Sequence, residues 1–290
     1  MDEQFVDLHT HSLASDGTDT PTELAKKAAE SGVVTFAITD HDTVAGVTEA
    51  QYAAKQCGIE CIAGCEIAVH EEHLEEVHIL GLWVDWEKPA LLDFLELQKH
   101  NRFKRNQYII KKLQLLGFAI SLEEVMELSG TGTCGRPHIA RTMVSKGYVA
   151  DVRTAFSRYL GARGNAYIPR VLSSPEQGIG ALAASGATVI LAHPCSSNKM
   201  TPKRLDALLK KYIPYGLHGI EAFHSVHATF KQRLCQRMAG KHNLLISGGS
   251  DYHGAVKNYA HLGFAKYGQR IPYRYLERMK LWREKRGLPL

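Results

Sequence analysis

Short apolar runs alternate with amphipathic stretches along most of the 290 residues, and glycine, proline and capping residues mark the joints. Phe5, Val6 and Leu8 fit a brief buried strand. Thr20-Pro21-Thr22-Glu23 is a capping box with proline at the first helical position, and Gly32 closes the helix it starts. Val33 to Thr39 reads as a strand covered on both faces, a helix runs from about Val44 to Cys57, and Gly58 leads into a strand over Ile59 to Ile67. Such repetition predicts a parallel sheet or barrel with right-handed crossovers. The alternation stops from Pro89 to about Arg163, where Leu91, Leu95, Ile109, Leu113 and Leu116 recur at roughly helical spacing and Ser121 with Glu124 forms another capping box. It resumes with a helix from Ser174-Pro175 to Gly186, a strand over Thr188 to Ala192, and a helix near Pro202 to Tyr212. Strands at Gly219-Ile220 and over Leu244 to Ser247 follow, and the apolar segment Ile79 to Val84 brings the count to seven.

Polar groups gather where these strands end. His9 and His11 are two apart on a strand and so point to one face. Thr39-Asp40-His41-Asp42 follows the second strand, Glu66 lies near the end of the third, His193 follows Thr188 to Ala192, and Asp251 and His253 follow the last. In parallel α/β barrels the loops after the strands converge over one mouth, so residues at successive strand ends share a site. Collected, His9, His11, Asp16, Asp40, His41, Glu66, His78, His193, Asp251 and His253 predict a metal centre, and imidazole with carboxylate donors suits Mn, Fe or Zn. His78 breaks the pattern because it precedes its apolar run. A short hairpin through Val69 to Glu76 would swing it back.

Composition narrows the class. Apolar and charged fractions of 44% and 22% are those of an ordinary soluble protein, and no stretch approaches the roughly 18 apolar residues that span a bilayer. With no basic and apolar leader at the N-terminus, the expectation is a cytoplasmic protein without a membrane partner. The six cysteines contain no Cys-x-x-Cys pair and read as buried free thiols. The net charge of +5 is unevenly placed, with His100, Arg102, Lys104, Arg105, Lys111 and Lys112 close together, which favours an anionic substrate or short nucleic acid. No obligate protein partner is evident.

Asp7-Leu8-His9-Thr10-His11-Ser12, Ser15-Asp16-Gly17, Thr39-Asp40-His41-Asp42, Glu66, Val77-His78-Ile79-Leu80-Gly81, Gly135-Arg136-Pro137-His138, Ala192-His193-Pro194, Gly219-Ile220-Glu221 and Gly249-Ser250-Asp251-Tyr252-His253 together resemble the polymerase and histidinol phosphatase (PHP) family, over nearly the whole chain. The resemblance implies a distorted, TIM-like (β/α)7 barrel, placed at residues 1–88 and 166–290, with a small helical insertion at 89–165 roofing the site. It implies three divalent cations, Mn favoured with Fe or Zn as alternatives. One would be held by His9, His11, Glu66 and Asp251, a second by Glu66, His78 and His193, and a third by Asp16, His41 and His253. Asp40 and Asp42 would then orient histidines, and Glu221 could receive a histidine N–H. The implied activity is a hydrolase of phosphoric esters acting by metal-activated hydroxide. Within the family the chain is most similar to stand-alone enzymes that take the 3'-phosphate from nucleoside 3',5'-bisphosphates or trim short 5'-phosphorylated RNA in the 5' to 3' direction. A histidinol-phosphatase-like activity and a metal- or nucleic-acid-binding module without turnover are the other readings. Arg136 is the first candidate for a phosphate clamp, Arg102 and Arg105 are candidates for a second phosphate, and His138 and His227 for proton donation or phosphate contact.

Overall fold

The computed structural model describes residues 4–72, 74–129, 134–197 and 199–290. Seven strands form one sheet in chain order: β1 (Phe5–Thr10), β2 (Val33–Ile38), β3 (Glu60–Glu71), β4 (Glu75–Leu82), β5 (Thr188–Leu191), β6 (Gly219–His224) and β7 (Leu245–Gly249). The sheet curls until its ends meet. Just beyond β7, the Asp251 N–H donates to the His9 carbonyl and the His11 N–H to the Tyr252 carbonyl, both at 2.9 Å. Gly249 permits this approach, since a Cβ there would overlap the Cβ of His9. The result is the expected α/β architecture, a nearly closed seven-stranded barrel with helices outside it.

Helices α1 (Pro21–Glu30) and α2 (Val47–Gln56) make the first two crossovers. The capping box forms as read: the Thr20 hydroxyl accepts the Glu23 N–H at 3.1 Å, and the Glu23 carboxylate accepts the Thr20 N–H at 2.8 Å. The regular alternation fails at β3. That strand continues to Glu71 and turns directly into β4, so the two pair antiparallel, and β4 also runs antiparallel to β5. A hairpin needs no crossover helix, whereas a parallel connection does. Residue 73 of this hairpin lies outside the described residues.

Between β4 and β5 come α3 (Pro89–Leu115), α4 (Leu122–Ser129), α5 (Arg136–Ser145), α6 (Val152–Ala155), a π-helical turn over Phe156–Leu160, and α7 (Pro175–Ala184). The long α3 joins two cores. Its first turns bury Leu91, Phe94 and Leu95 with the barrel, while Ile109, Ile110 and Leu113 pack with Ile139, Met143 and Leu160 in a separate apolar cluster. The last crossovers are α8 (Pro202–Tyr212) and α9 (Thr229–His242), and α10 (Arg274–Glu284) follows β7. Among the described residues no helix is long and apolar enough to cross a membrane. All six cysteines are free thiols.

Candidate metal centre

The strand ends deliver their polar groups to one buried point. Glu66 lies within β3, fully buried, and five imidazoles surround its carboxylate. His78 Nδ1 and His193 Nε2 lie 3.0 Å from Oε1, while His9 Nε2, His11 Nε2 and His41 Nδ1 lie 3.3, 3.2 and 3.0 Å from Oε2. The hairpin explains His78. It pairs across the ladder with Ala68, two residues beyond Glu66, and so shares Glu66's face. Asp251 Oδ1 faces His9 Nε2 at 3.5 Å and His11 Nε2 at 3.4 Å, and His253 Nε2 lies 3.2 Å from Asp16 Oδ1. His193 and Asp251 both take positive φ, at 24° and 56°, a conformation that non-glycine residues adopt where a site demands a particular side-chain direction.

The donor set fits cations on its own chemistry. His9 Nε2 and His11 Nε2 face each other at 3.1 Å, and two ring lone pairs so placed repel unless a proton or cation lies between them. Glu66 Oε2 and His11 Nδ1 are buried without a hydrogen-bond partner, although imidazole nitrogens crowd the former. Burial alone would raise the Glu66 pKa, but His41, His9 and His78 outweigh it and hold the carboxyl well below its usual range. All nine sequence-predicted ligands fall in overlapping groups whose donor atoms lie within 4.8 Å of one another: His11, Asp16, His41 and His253; His9, Glu66 and His193; His9, His11 and Asp251; His41, Glu66 and His78. His41 therefore stands between the Asp16 side and the Glu66 side. The buried clusters have the composition of a multi-metal site.

The supporting groups differ in part from expectation. Asp40 orients no histidine; it accepts the Ser12 N–H at 2.8 Å and the Ser12 and Ser15 hydroxyls at 2.7 and 2.5 Å, and so shapes the loop that carries Asp16. Asp42 pairs with Arg102 and Arg170 instead. Glu221 does receive a histidine proton: His9 Nδ1 lies 3.1 Å from Oε1, which directs His9 Nε2 into the cluster, and the His193 backbone N–H donates to Oε2 at 2.7 Å. Asp7 ties β1 to the Asp251 loop by accepting the Ser250 N–H, the Ser250 hydroxyl and the Gly263 N–H at 2.8, 2.6 and 2.8 Å.

Beside the cluster, a pocket of about 160 Å³ is lined by Arg102, Arg105, Arg136 and Arg170 together with Asp16, His41 and His78. Arg105 Nε–H donates to the Ile168 carbonyl at 2.9 Å and Arg136 Nη1–H to the Leu160 carbonyl at 3.2 Å. Arg170 escaped sequence reasoning. It donates to Glu76 Oε1 at 2.7 Å, and the only signal in the chain is its position after Pro169 where the barrel resumes. Lys257, donating to Asp251 Oδ2 at 2.6 Å, and His224, whose Nε2 lies 3.4 Å from the same oxygen, were missed too.

Two expected site residues lie elsewhere. His227 is fully buried, donates Nδ1–H to the Ala222 carbonyl at 3.0 Å and accepts the Cys195 N–H on Nε2 at 3.3 Å, so neither ring nitrogen is left for a substrate. Burial lowers its pKa to about 4, which keeps it neutral. His138 is buried as well, accepts the Gly135 N–H at 3.2 Å at the start of α5, and does not line the arginine pocket.

Residues 7–168 match the PHP domain model. The chain is 37% identical to a 5'-3' exoribonuclease of Haemophilus influenzae over 85% of its own length and 89% of the relative's. It is 31% identical to a phosphoribosyl 1,2-cyclic phosphate 1,2-diphosphodiesterase of Eggerthella lenta over 89% and 97%, and 32% identical to a 3',5'-nucleoside bisphosphate phosphatase of Chromobacterium violaceum over 86% and 87%. A solved structure of a Chromobacterium violaceum amidohydrolase, with sulfate and no metal bound, superposes with a TM-score of 0.83 at 31% identity, covering 94% of this chain and 96% of that one. With the family model spanning more than half of the chain and these relatives spanning most of it, the chain belongs to the PHP domain family and is a metal-dependent phosphoesterase of that family.

Proposed function

We propose that the chain removes the 3'-phosphate from nucleoside 3',5'-bisphosphates, releasing inorganic phosphate. The observation that carries this reading is the arginine pocket. Four guanidiniums around about 160 Å³, sharing His41 and His78 with the donor cluster, suit one phosphate of a small molecule whose other phosphate lies at the cluster. The named activity of the Chromobacterium violaceum relative supports it.

Three cations, Mn first with Fe or Zn as alternatives, would be held by the nine donors in the partition given above. When bound they supply a water acidified to near neutral pH and take up charge from the phosphoryl oxygens. The rest falls to the chain itself. Glu221 fixes the His9 tautomer and the His193 backbone. Asp42 holds Arg102 and Arg170, and Glu76 holds Arg170, so the guanidinium forks stand ready before substrate arrives. His138 acts through Arg136, because its bond to Gly135 sets the first turn of α5. The insertion, taken as 89–165, brings Arg102, Arg105 and Arg136 over the barrel mouth and so roofs the site.

A second reading, 5'-3' exoribonuclease, is supported by the Haemophilus influenzae relative, and the 5'-phosphate of a short RNA would occupy the same arginines. The test is to incubate the Mn-loaded protein with adenosine 3',5'-bisphosphate, a short 5'-phosphorylated RNA and phosphoribosyl 1,2-cyclic phosphate, resolving free phosphate from mononucleotides. Rapid phosphate release from the bisphosphate with slow RNA trimming is the expected result. Stepwise mononucleotides at comparable efficiency would replace it with the exonuclease, and turnover of the cyclic phosphate alone would sink both.

A further inference from the structure

Glu76 touches both halves of the site. It lies on β4 two residues before His78, so the two side chains share the face of the ladder that carries Glu66. Its Oε1 lies 3.0 Å from His78 Nε2, while His78 Nδ1 faces Glu66 at 3.0 Å. The same oxygen accepts Arg170 Nη1–H at 2.7 Å, and Nη2 of that guanidinium pairs with Asp42. One carboxylate oxygen thus serves a cation donor and a phosphate clamp at once, as its two lone pairs allow.

A carboxylate is out of place here on charge alone. Glu76 lines the arginine pocket, where a negative charge works against the phosphate that the guanidiniums are set to receive. Bracing Arg170 does not explain it, because Asp42 already braces the same guanidinium. The bond to His78 is what Glu76 adds.

We propose that Glu76 is a positioning residue that couples cation binding at the donor cluster to phosphate binding at the arginines. With a cation on Nδ1, His78 Nε2–H is a stronger donor, draws Oε1 toward the imidazole and loosens its hold on Arg170. Arg170 is then freer to turn to a phosphate. Conversely, when a phosphate takes Arg170, Oε1 is left to His78 alone, and the ligating nitrogen becomes more basic. Each ligand therefore favours the other, and by linkage the two effects are equal. The proposal rests on a phosphate occupying the arginine pocket, which the bisphosphate and exonuclease readings both require.

The test is a thermodynamic cycle on the full-length, Mn-loaded protein with adenosine 5'-phosphate as the probe, whose phosphate goes to the arginines in either reading and which has no 3'-phosphate to lose. Mn affinity is measured by competition against a chelator of known strength, with and without saturating nucleotide. In the parent protein the nucleotide should tighten Mn binding by about tenfold or more, within the usual range for coupled sites. Glu76→Gln should weaken Mn binding by itself and cut the tightening to less than about threefold, the remainder being direct attraction between opposite charges. Arg170→Ala should cut it equally while leaving the Mn affinity of the nucleotide-free protein unchanged. A merely structural Glu76 would weaken Mn binding and leave the ratio alone, so an equal ratio in parent and Glu76→Gln overturns the proposal while the arginine pocket stands. A parent protein whose Mn affinity ignores bound nucleotide overturns it as well. Failure of the nucleotide to bind the Mn-loaded protein overturns both.

Discussion

The donor cluster and the arginine pocket share a wall, yet they are built in opposite ways. Each donor sits on a barrel strand or in the loop just after one, so the sheet's own hydrogen bonds fix its place. The arginines come from α3, the first turn of α5 and the segment before α7, and each long side chain depends on a tether: Asp42 for Arg102, Asp42 and Glu76 for Arg170, and backbone carbonyls for Arg105 and Arg136. Cation donors must be held to small tolerances, while a phosphate needs charge and a fork presented from any frame that reaches it. Damage to the first should therefore abolish chemistry, and damage to the second should weaken substrate binding.

The largest effects belong to the cluster. Chelation should abolish phosphate release, and added Mn should restore it. Glu66→Gln keeps the volume but removes the charge that five imidazoles surround, and should lower kcat by roughly 10³-fold or more while reducing bound metal. Metal content by mass spectrometry alongside phosphate release checks it. Full metal content with near-normal kcat would remove Glu66 from the centre. Arg170→Ala should act on the other side of the comparison, raising KM by about 10- to 100-fold with metal content unchanged, and Arg170→Lys should rescue it poorly because an ammonium cannot span Asp42 and Glu76 as a fork does. A fall in metal content instead would merge the two regions into one.

This contrast also explains what the sequence could disclose. His9, His11, His41, His193, Asp251 and His253 were legible because strand ends are marked by apolar runs, and a polar group just past such a run has a predictable place. His78 required the hairpin to be taken seriously, and Glu66, expected near a strand end, lies mid-strand because β3 runs on to Glu71 where alternation gives way to an antiparallel ladder. Arg170 was not legible, because its partners Asp42 and Glu76 are 128 and 94 residues away in sequence and nothing local announces the pairing. His227 misled for the complementary reason. As a histidine it could donate a proton or contact a phosphate, but tertiary packing gives both its nitrogens to the backbone.

A middle-sized effect should come from Glu221→Gln, which leaves the cluster's own donors in place. A glutamine can still accept from one partner, but it presents an N–H where the carboxylate accepts from either His9 Nδ1 or the His193 backbone. Metal affinity should fall by about 10- to 100-fold, the usual range for losing an orienting partner, and saturating Mn should recover most of kcat. If saturating metal recovers nothing, Glu221 acts on the reaction directly.

The smallest catalytic effect should come from His227→Asn, and it is the sharpest test of where chemistry stops and scaffold begins. The shorter side chain cannot reach both Ala222 and Cys195, so a buried backbone group loses its partner, at a cost of about 1–3 kcal/mol. The pH dependence carries a sign. Folded His227 titrates near 4 against an ordinary value of 6.5, so as pH falls through that window the unfolded chain takes up a proton that the folded chain refuses, and stability drops. Removing the imidazole should flatten that drop, so the variant's Tm deficit at pH 7 should narrow toward pH 5. With Mn saturating and the protein folded, kcat/KM should stay within about threefold of the parent and the pH profile of kcat should keep its shape. A displaced acidic or basic limb would mean that His227 exchanges protons with the substrate despite its two backbone bonds, and would move the boundary of the site one shell outward.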